Sequence, residues 1–116
     1  TYRKLLGGGM RQAGVLAAAG LVALEESPAK LAADHENARL LAEAVGLDPA
    51  TVQTNIVIFE ITSDPAAFIA RLKEEGILAS AIGGKRIRFV THYDVTRTDC
   101  EKAARVASAT IRLEAN

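Results

Sequence analysis

The sequence predicts a small α/β domain: an antiparallel three-stranded sheet with helices on one face, entered by a long kinked N-terminal helix. Three observations point to it. The run Thr54-Asn55-Ile56-Val57-Ile58-Phe59-Glu60-Ile61 is rich in β-branched residues and reads as a strand. Arg86-Ile87-Arg88-Phe89-Val90-Thr91 alternates charged and apolar residues with the two-residue period of a half-buried strand. Around these runs, apolar positions recur at helical spacing between start and stop signals at Pro28, Gly46, Asp64-Pro65 and Gly76.

Taken in order, Thr1 to Leu6 is an extended or irregular lead-in, and Gly7-Gly8-Gly9 permits a tight turn. Met10 to about Ser27 is the first helix. Ser27 caps a second segment that opens at Pro28, and the two segments form one long helix kinked at Pro28. Leu31, His35, Ala38, Ala42 and Val45 share one face of that second segment, which stops at Gly46. After the first strand, Asp64-Pro65 starts a helix through Phe68, Ile69 and Leu72 to Gly76. Ile77 to Ala79 is a short strand, Gly83-Gly84 a turn and Arg86 to Thr91 the third strand, antiparallel to the second. Thr96-Arg97-Thr98-Asp99 resembles a capping box and opens a final helix to about Leu113. The expected division is residues 1–46, a Gly-rich anion loop with interface helices, and residues 47–116, a small α/β sandwich.

From Ala13 to Leu24 every residue is apolar or Gly, so the first helix has no polar face. A helix apolar all round is buried on every side or lies in a membrane. A span needs about 20 strongly apolar residues, which this run does not reach. A chain of 116 residues has little interior in which to enclose it. The expectation is therefore a partner outside this chain; with Thr1 in place of an initiator Met, it suggests a piece of a longer polypeptide.

Charge composition excludes other classes. Lys plus Arg and Asp plus Glu number 14 each, so no general basic field exists to hold nucleic acid. The single Cys100 forms no internal disulfide and fits a reducing cytoplasm. No secretory signal, P-loop, dinucleotide fingerprint or serine-hydrolase elbow is present.

Two places suggest anion chemistry. In the glycine turn, backbone N–H groups can converge, and Arg11 in the expected first helical turn opposes the helix dipole unless an anion lies nearby. Arg3 and Lys4 add local positive charge; the alternative is an ordinary loop with a solvated Arg11. In the third strand Ile87 and Phe89 share one face, and Arg86, Arg88 and Val90 the other. Arg88 there is a planar fork suited to a carboxylate, although on pattern alone a surface arginine is the simpler reading. His92 and His35 read as structural residues, Cys100 as an inert small residue, and no set at metal-ligand spacing appears.

The segment Arg3-Lys4-Leu5-Leu6-Gly7-Gly8-Gly9-Met10-Arg11-Gln12-Ala13-Gly14-Val15-Leu16-Ala17-Ala18-Ala19-Gly20 closely resembles the low-specificity L-threonine aldolases. Asp34-His35-Glu36-Asn37-Ala38, Thr54-Asn55 and Arg88-Phe89-Val90-Thr91-His92-Tyr93-Asp94-Val95 match the same family in the same order. The resemblance implies the C-terminal portion, including the small C-terminal domain, of a fold-type-I pyridoxal 5'-phosphate enzyme, usually a homotetramer. Such enzymes cleave L-threonine or L-allo-threonine to glycine and acetaldehyde. It implies that Arg88 binds the substrate α-carboxylate and that Lys4 and Arg11 lie in the cofactor-phosphate region. In the family the Schiff-base lysine lies upstream of the Gly-rich segment, so this chain holds no catalytic residue and is expected to be inactive alone. Its implied partner is the missing N-terminal cofactor-binding domain. Two other readings stand beside it: a stand-alone anion- or amino-acid-binding regulatory or dimerisation module, and a related pyridoxal-phosphate-dependent β-eliminating lyase.

Overall fold

Strand Arg86–Val90 (β3) lies at the centre of the sheet in the computed structural model, which describes residues 2–114. Strand Ile56–Glu60 (β1) flanks it on one side and the short strand Ser80–Ala81 (β2) on the other, both antiparallel. Among the described residues the helices are Tyr2–Leu5 (α1), Gly14–Glu26 (α2), Pro28–Ala44 (α3), Pro65–Glu74 (α4) and Arg97–Glu114 (α5). A 3-10 turn, Pro49–Thr51, precedes β1. The α/β class and the antiparallel three-stranded sheet are those the sequence predicts.

The chain divides into two units, Thr1–Lys30 and Leu31–Asn116. In the first, the expected irregular lead-in is instead the one-turn helix α1, with Thr1 outside the described residues. Helix α2 starts at Gly14 rather than Met10, because the glycine segment turns back on α1: the Gly8 N–H donates to the Arg3 carbonyl at 2.8 Å. A Cβ on Gly8 would lie 2.9 Å from that carbonyl oxygen, so only glycine fits. No residue of α2 is buried; Val15 and Leu24 are 80% and 75% exposed. No helix among the described residues is long and apolar enough to cross a membrane. Ser27 alone separates α2 from α3, its N–H bonded to the Ala23 carbonyl and its carbonyl to the Lys30 N–H.

In the second unit the inner sheet face supplies Val57, Phe59, Ile87 and Phe89 to a core shared with residues of α3, α4 and α5. Phe59 meets Phe68 of α4 edge-on at 6.0 Å and Phe89 at 5.2 Å. Burying each such side chain contributes about 1.5–3 kcal/mol. Helices α3 and α4 end alike. Gly46 and Gly76 take φ of +82° and +77°, and the next N–H reaches back, from Leu47 to the Ala42 carbonyl and from Ile77 to that of Leu72, both at 2.9 Å. This cap draws Ile77 into the end of α4, so β2 forms at Ser80–Ala81 and not over residues 77–79. On α3 the buried positions are Asn37, Ala38, Leu41 and Ala42; Leu31 stays exposed and His35 half-buried, so the packed stripe is rotated from the expected one.

The Ser27 cap expected ahead of Pro28 does not form, because Ser27 is itself helical at φ −73° and ψ −34° and ends α2. The Thr96–Asp99 capping box does form, and Asp64 caps α4. Asp64 accepts from the Ala67 N–H at 3.0 Å ahead of Pro65. Thr96 and Asp99 exchange bonds, Thr96 N–H to the carboxylate at 3.0 Å and Asp99 N–H to the hydroxyl at 3.2 Å.

Candidate functional site

The candidate site of the second unit is the outer face of the sheet. Alternation along β3 buries Ile87 and Phe89 and turns Arg86, Arg88 and Val90 outward. Pairing then sets their neighbours. Arg88 stands opposite Ile58 on one side and Ser80 on the other, Val90 opposite Ile56, and Arg86 opposite Glu60. Ile56, Ile58 and Val90 are each exposed by 42–45%, so Arg88 rises from a largely apolar surface.

The charges on this face are unevenly matched. Arg86 faces a carboxylate across the ladder and its Nε–H lies 3.4 Å from the Gly83 carbonyl. Lys85 donates to the Thr62 carbonyl. Arg88 has neutral neighbours in both strands and no hydrogen-bond or ion-pair partner among the described residues. An arginine offers a rigid fork of donors that matches a carboxylate.

A buried polar clasp holds the end of β3. Thr91, 1% exposed, donates its hydroxyl to the Asp34 carbonyl of α3 at 2.7 Å. Asn55 donates its side-chain amide to the Thr91 carbonyl at 2.7 Å, and Thr91 N–H donates to the Asn55 carbonyl at 2.9 Å. Sequence pattern alone assigns Thr91 no such role, since its partners lie on distant segments.

His92 and Cys100 line one cleft, which reaches Val90 at the end of β3. The His92 Nδ1 accepts from the Asp94 N–H at 3.3 Å, with the Asp94 carboxylate 3.7 Å away. The cleft, of about 410 Å³, is also lined by Leu41, Ile77, Phe89, Thr91 and Ala103, and Arg88 is not in its wall. Burial pushes the Cys100 thiol above its ordinary value, with the Asp99 charge adding to the rise. The neutral thiol is a poor nucleophile.

Lys4 and Arg11 belong to the other unit. Arg11 precedes α2 by three positions, so it does not occupy a first helical turn and the dipole argument for an anion beside it falls. Other features of this loop still suit an anion. Neither the Lys4 nor the Arg11 side chain has a partner among the described residues, and the N–H groups of Gly9, Met10 and Arg11 make no hydrogen bond there. Arg3 is engaged, donating to the Met10 carbonyl and so closing the loop. Two free cations and a run of open amides are a donor set suited to a phosphate. Glu60 and Ser80, the residues facing Arg86 and Arg88, are absent from the sequence-predicted site, because only the register brings them there.

Known proteins bear on both units. The β-eliminating lyase family matches residues 1–64. The probable low-specificity L-threonine aldolase 2 of Arabidopsis thaliana is 43% identical over 109 residues, 85% of this chain and 31% of that protein. The low specificity L-threonine aldolase of Escherichia coli (strain K12) is 40% identical over 111 residues, 92% of this chain and 32% of that protein. The chain thus spans about a third of the length of these relatives. The match over residues 1–64 takes in the glycine loop, α2, α3 and β1, and with it the chain belongs to the β-eliminating lyase family.

Proposed function

We propose that this chain is the C-terminal portion of a pyridoxal-phosphate-dependent threonine aldolase, which cleaves L-threonine or L-allo-threonine to glycine and acetaldehyde. Support comes from the relatives of that name and from one structural observation, the unpartnered Arg88 at the middle of a half-apolar sheet face. Arg88 holds the substrate α-carboxylate. A charge-assisted hydrogen bond of this kind is worth roughly 1.5–3 kcal/mol, and a bidentate one fixes the orientation of Cα as well. Lys4 and Arg11, with the open amides of the glycine loop, hold the cofactor phosphate. Pyridoxal phosphate, when bound, supplies the electron sink for the charge released at Cα.

The lysine that bonds the cofactor and the base that takes the hydroxyl proton come from the rest of the polypeptide, so the 116-residue chain alone is inactive. Helix α2, apolar on every side, packs against that remainder and a second subunit of a homo-oligomer, a tetramer as in the family. We place the enzyme in the cytoplasm, where a lone thiol such as Cys100 stays reduced. The regulatory-module reading is less well supported, as it leaves the aldolase relatives unexplained.

The test is made in the full-length protein. Arg88→Ala should raise the KM for L-threonine at least tenfold while cofactor affinity, followed by absorbance, changes little. Equal loss of both, or of neither, would overturn the carboxylate role. Formation of products other than glycine and acetaldehyde would favour the β-eliminating lyase reading.

A further inference from the structure

The outer sheet face carries two outward guanidinium groups, and only one of them faces a carboxylate. Arg86 and Arg88 are two positions apart on β3, so their Cα atoms lie roughly 7 Å apart on the same side of the sheet. Without a neighbouring acid, such a pair is a natural seat for two carboxylates on a short carbon chain. Glu60 stands directly across from Arg86 and diagonally from Arg88, at a separation of about 7–8 Å that long side chains span. Ile58 and Ser80, the in-register neighbours of Arg88, bring no charge to it.

We propose that Glu60 is a specificity-determining residue that excludes amino acids bearing a second carboxylate. The inference rests on the reading of Arg88 as the α-carboxylate site. With the α-carboxylate on Arg88, an acidic side chain reaching toward Arg86 meets the charge of Glu60, which stands in register with it. A neutral side chain, a hydroxyalkyl group for instance, meets no such repulsion. Glu60 therefore selects by rejecting the wrong ligand, and contributes no attractive contact to the right one.

Calorimetric binding of glycine and of L-aspartate to the full-length holoenzyme tests this. Glu60→Gln should tighten L-aspartate relative to glycine by roughly five- to tenfold, the size expected of one partly screened charge at this distance. Adding Arg86→Ala to Glu60→Gln should cancel that gain. An unchanged aspartate-to-glycine ratio in Glu60→Gln, with glycine binding weakened in Arg88→Ala, overturns the role of Glu60 and leaves the α-carboxylate reading standing. Unaltered glycine binding in Arg88→Ala overturns both.

Discussion

The hydroxyl of Thr91 donates to the carbonyl of Asp34 at 2.7 Å, joining the end of the central strand to helix α3 across the core. Thr91 lies three residues after Arg88, and the same residue is bonded to Asn55 through its backbone. The guanidinium of Arg88 is thus borne by a strand fixed near its end by a buried polar clasp. Thr91→Val removes the hydroxyl and its bond to the Asp34 carbonyl, at a cost of about 0.5–1.5 kcal/mol. Urea unfolding of the full-length protein measures it; equal midpoints for the two proteins would show the clasp to be dispensable.

Arg88→Lys separates charge from shape. If Arg88 holds the substrate carboxylate as proposed, lysine keeps the positive charge but loses the planar fork, so the KM for L-threonine in the full-length protein should rise roughly tenfold, corresponding to about 1.4 kcal/mol. A KM equal to that of the unaltered enzyme would mean that a point charge suffices.

At the start of α5, Asp99 has its pKa held below the ordinary value of 3.8, chiefly by the hydrogen bond from the Thr96 hydroxyl and then by the Thr96 backbone N–H. A carboxyl lowered on folding stabilises the fold at pH above its unfolded value. That contribution is lost as pH falls through the folded value. Asp99→Asn should therefore flatten the acid limb of the stability profile below about pH 4. Unfolding midpoints measured from pH 2 to pH 6 give the answer, and an unchanged slope would remove Asp99 from the account. Thr96→Ala removes the hydroxyl of the cap and should cost about 1 kcal/mol at neutral pH.

Cys100 is 1% exposed, and burial raises its thiol above the ordinary value of 9.0. The native thiol should react with a maleimide far more slowly than the unfolded one at pH 7, as followed by intact mass. Above about pH 9 the unfolded thiol ionises while the folded one resists, so this group lowers stability as pH rises. Rapid native labelling would contradict the burial of Cys100 behind the first turn of α5.

Local signals carried much of this fold. The parity of residues 86–90 alone assigns Arg88 to the face opposite Ile87 and Phe89, because the period of two depends on nothing distant. Gly46, Gly76, Asp64 and the Thr96–Asp99 pair marked helix ends through bonds spanning only a few residues. Non-local choices were not legible. Ile77 has the composition of a strand residue, yet its N–H is taken by Leu72. Arg11 looked helical, yet the close approach of Gly8 to Arg3 delays α2 to Gly14. The pairing of Ser80 with Arg88 and of Glu60 with Arg86 depends on register, which no single segment encodes.

Arg88 occupies the middle strand, with a neighbour in register on each side. Its Cα is consequently the least free to drift of any on that face. Torsions of its own side chain can swing the fork, but a larger excursion toward or away from a ligand requires all three strands to move as a rigid body. On the proposed aldolase reading, any closing motion over a substrate would then be a displacement of the whole sheet, and the arginine would arrive as its passenger.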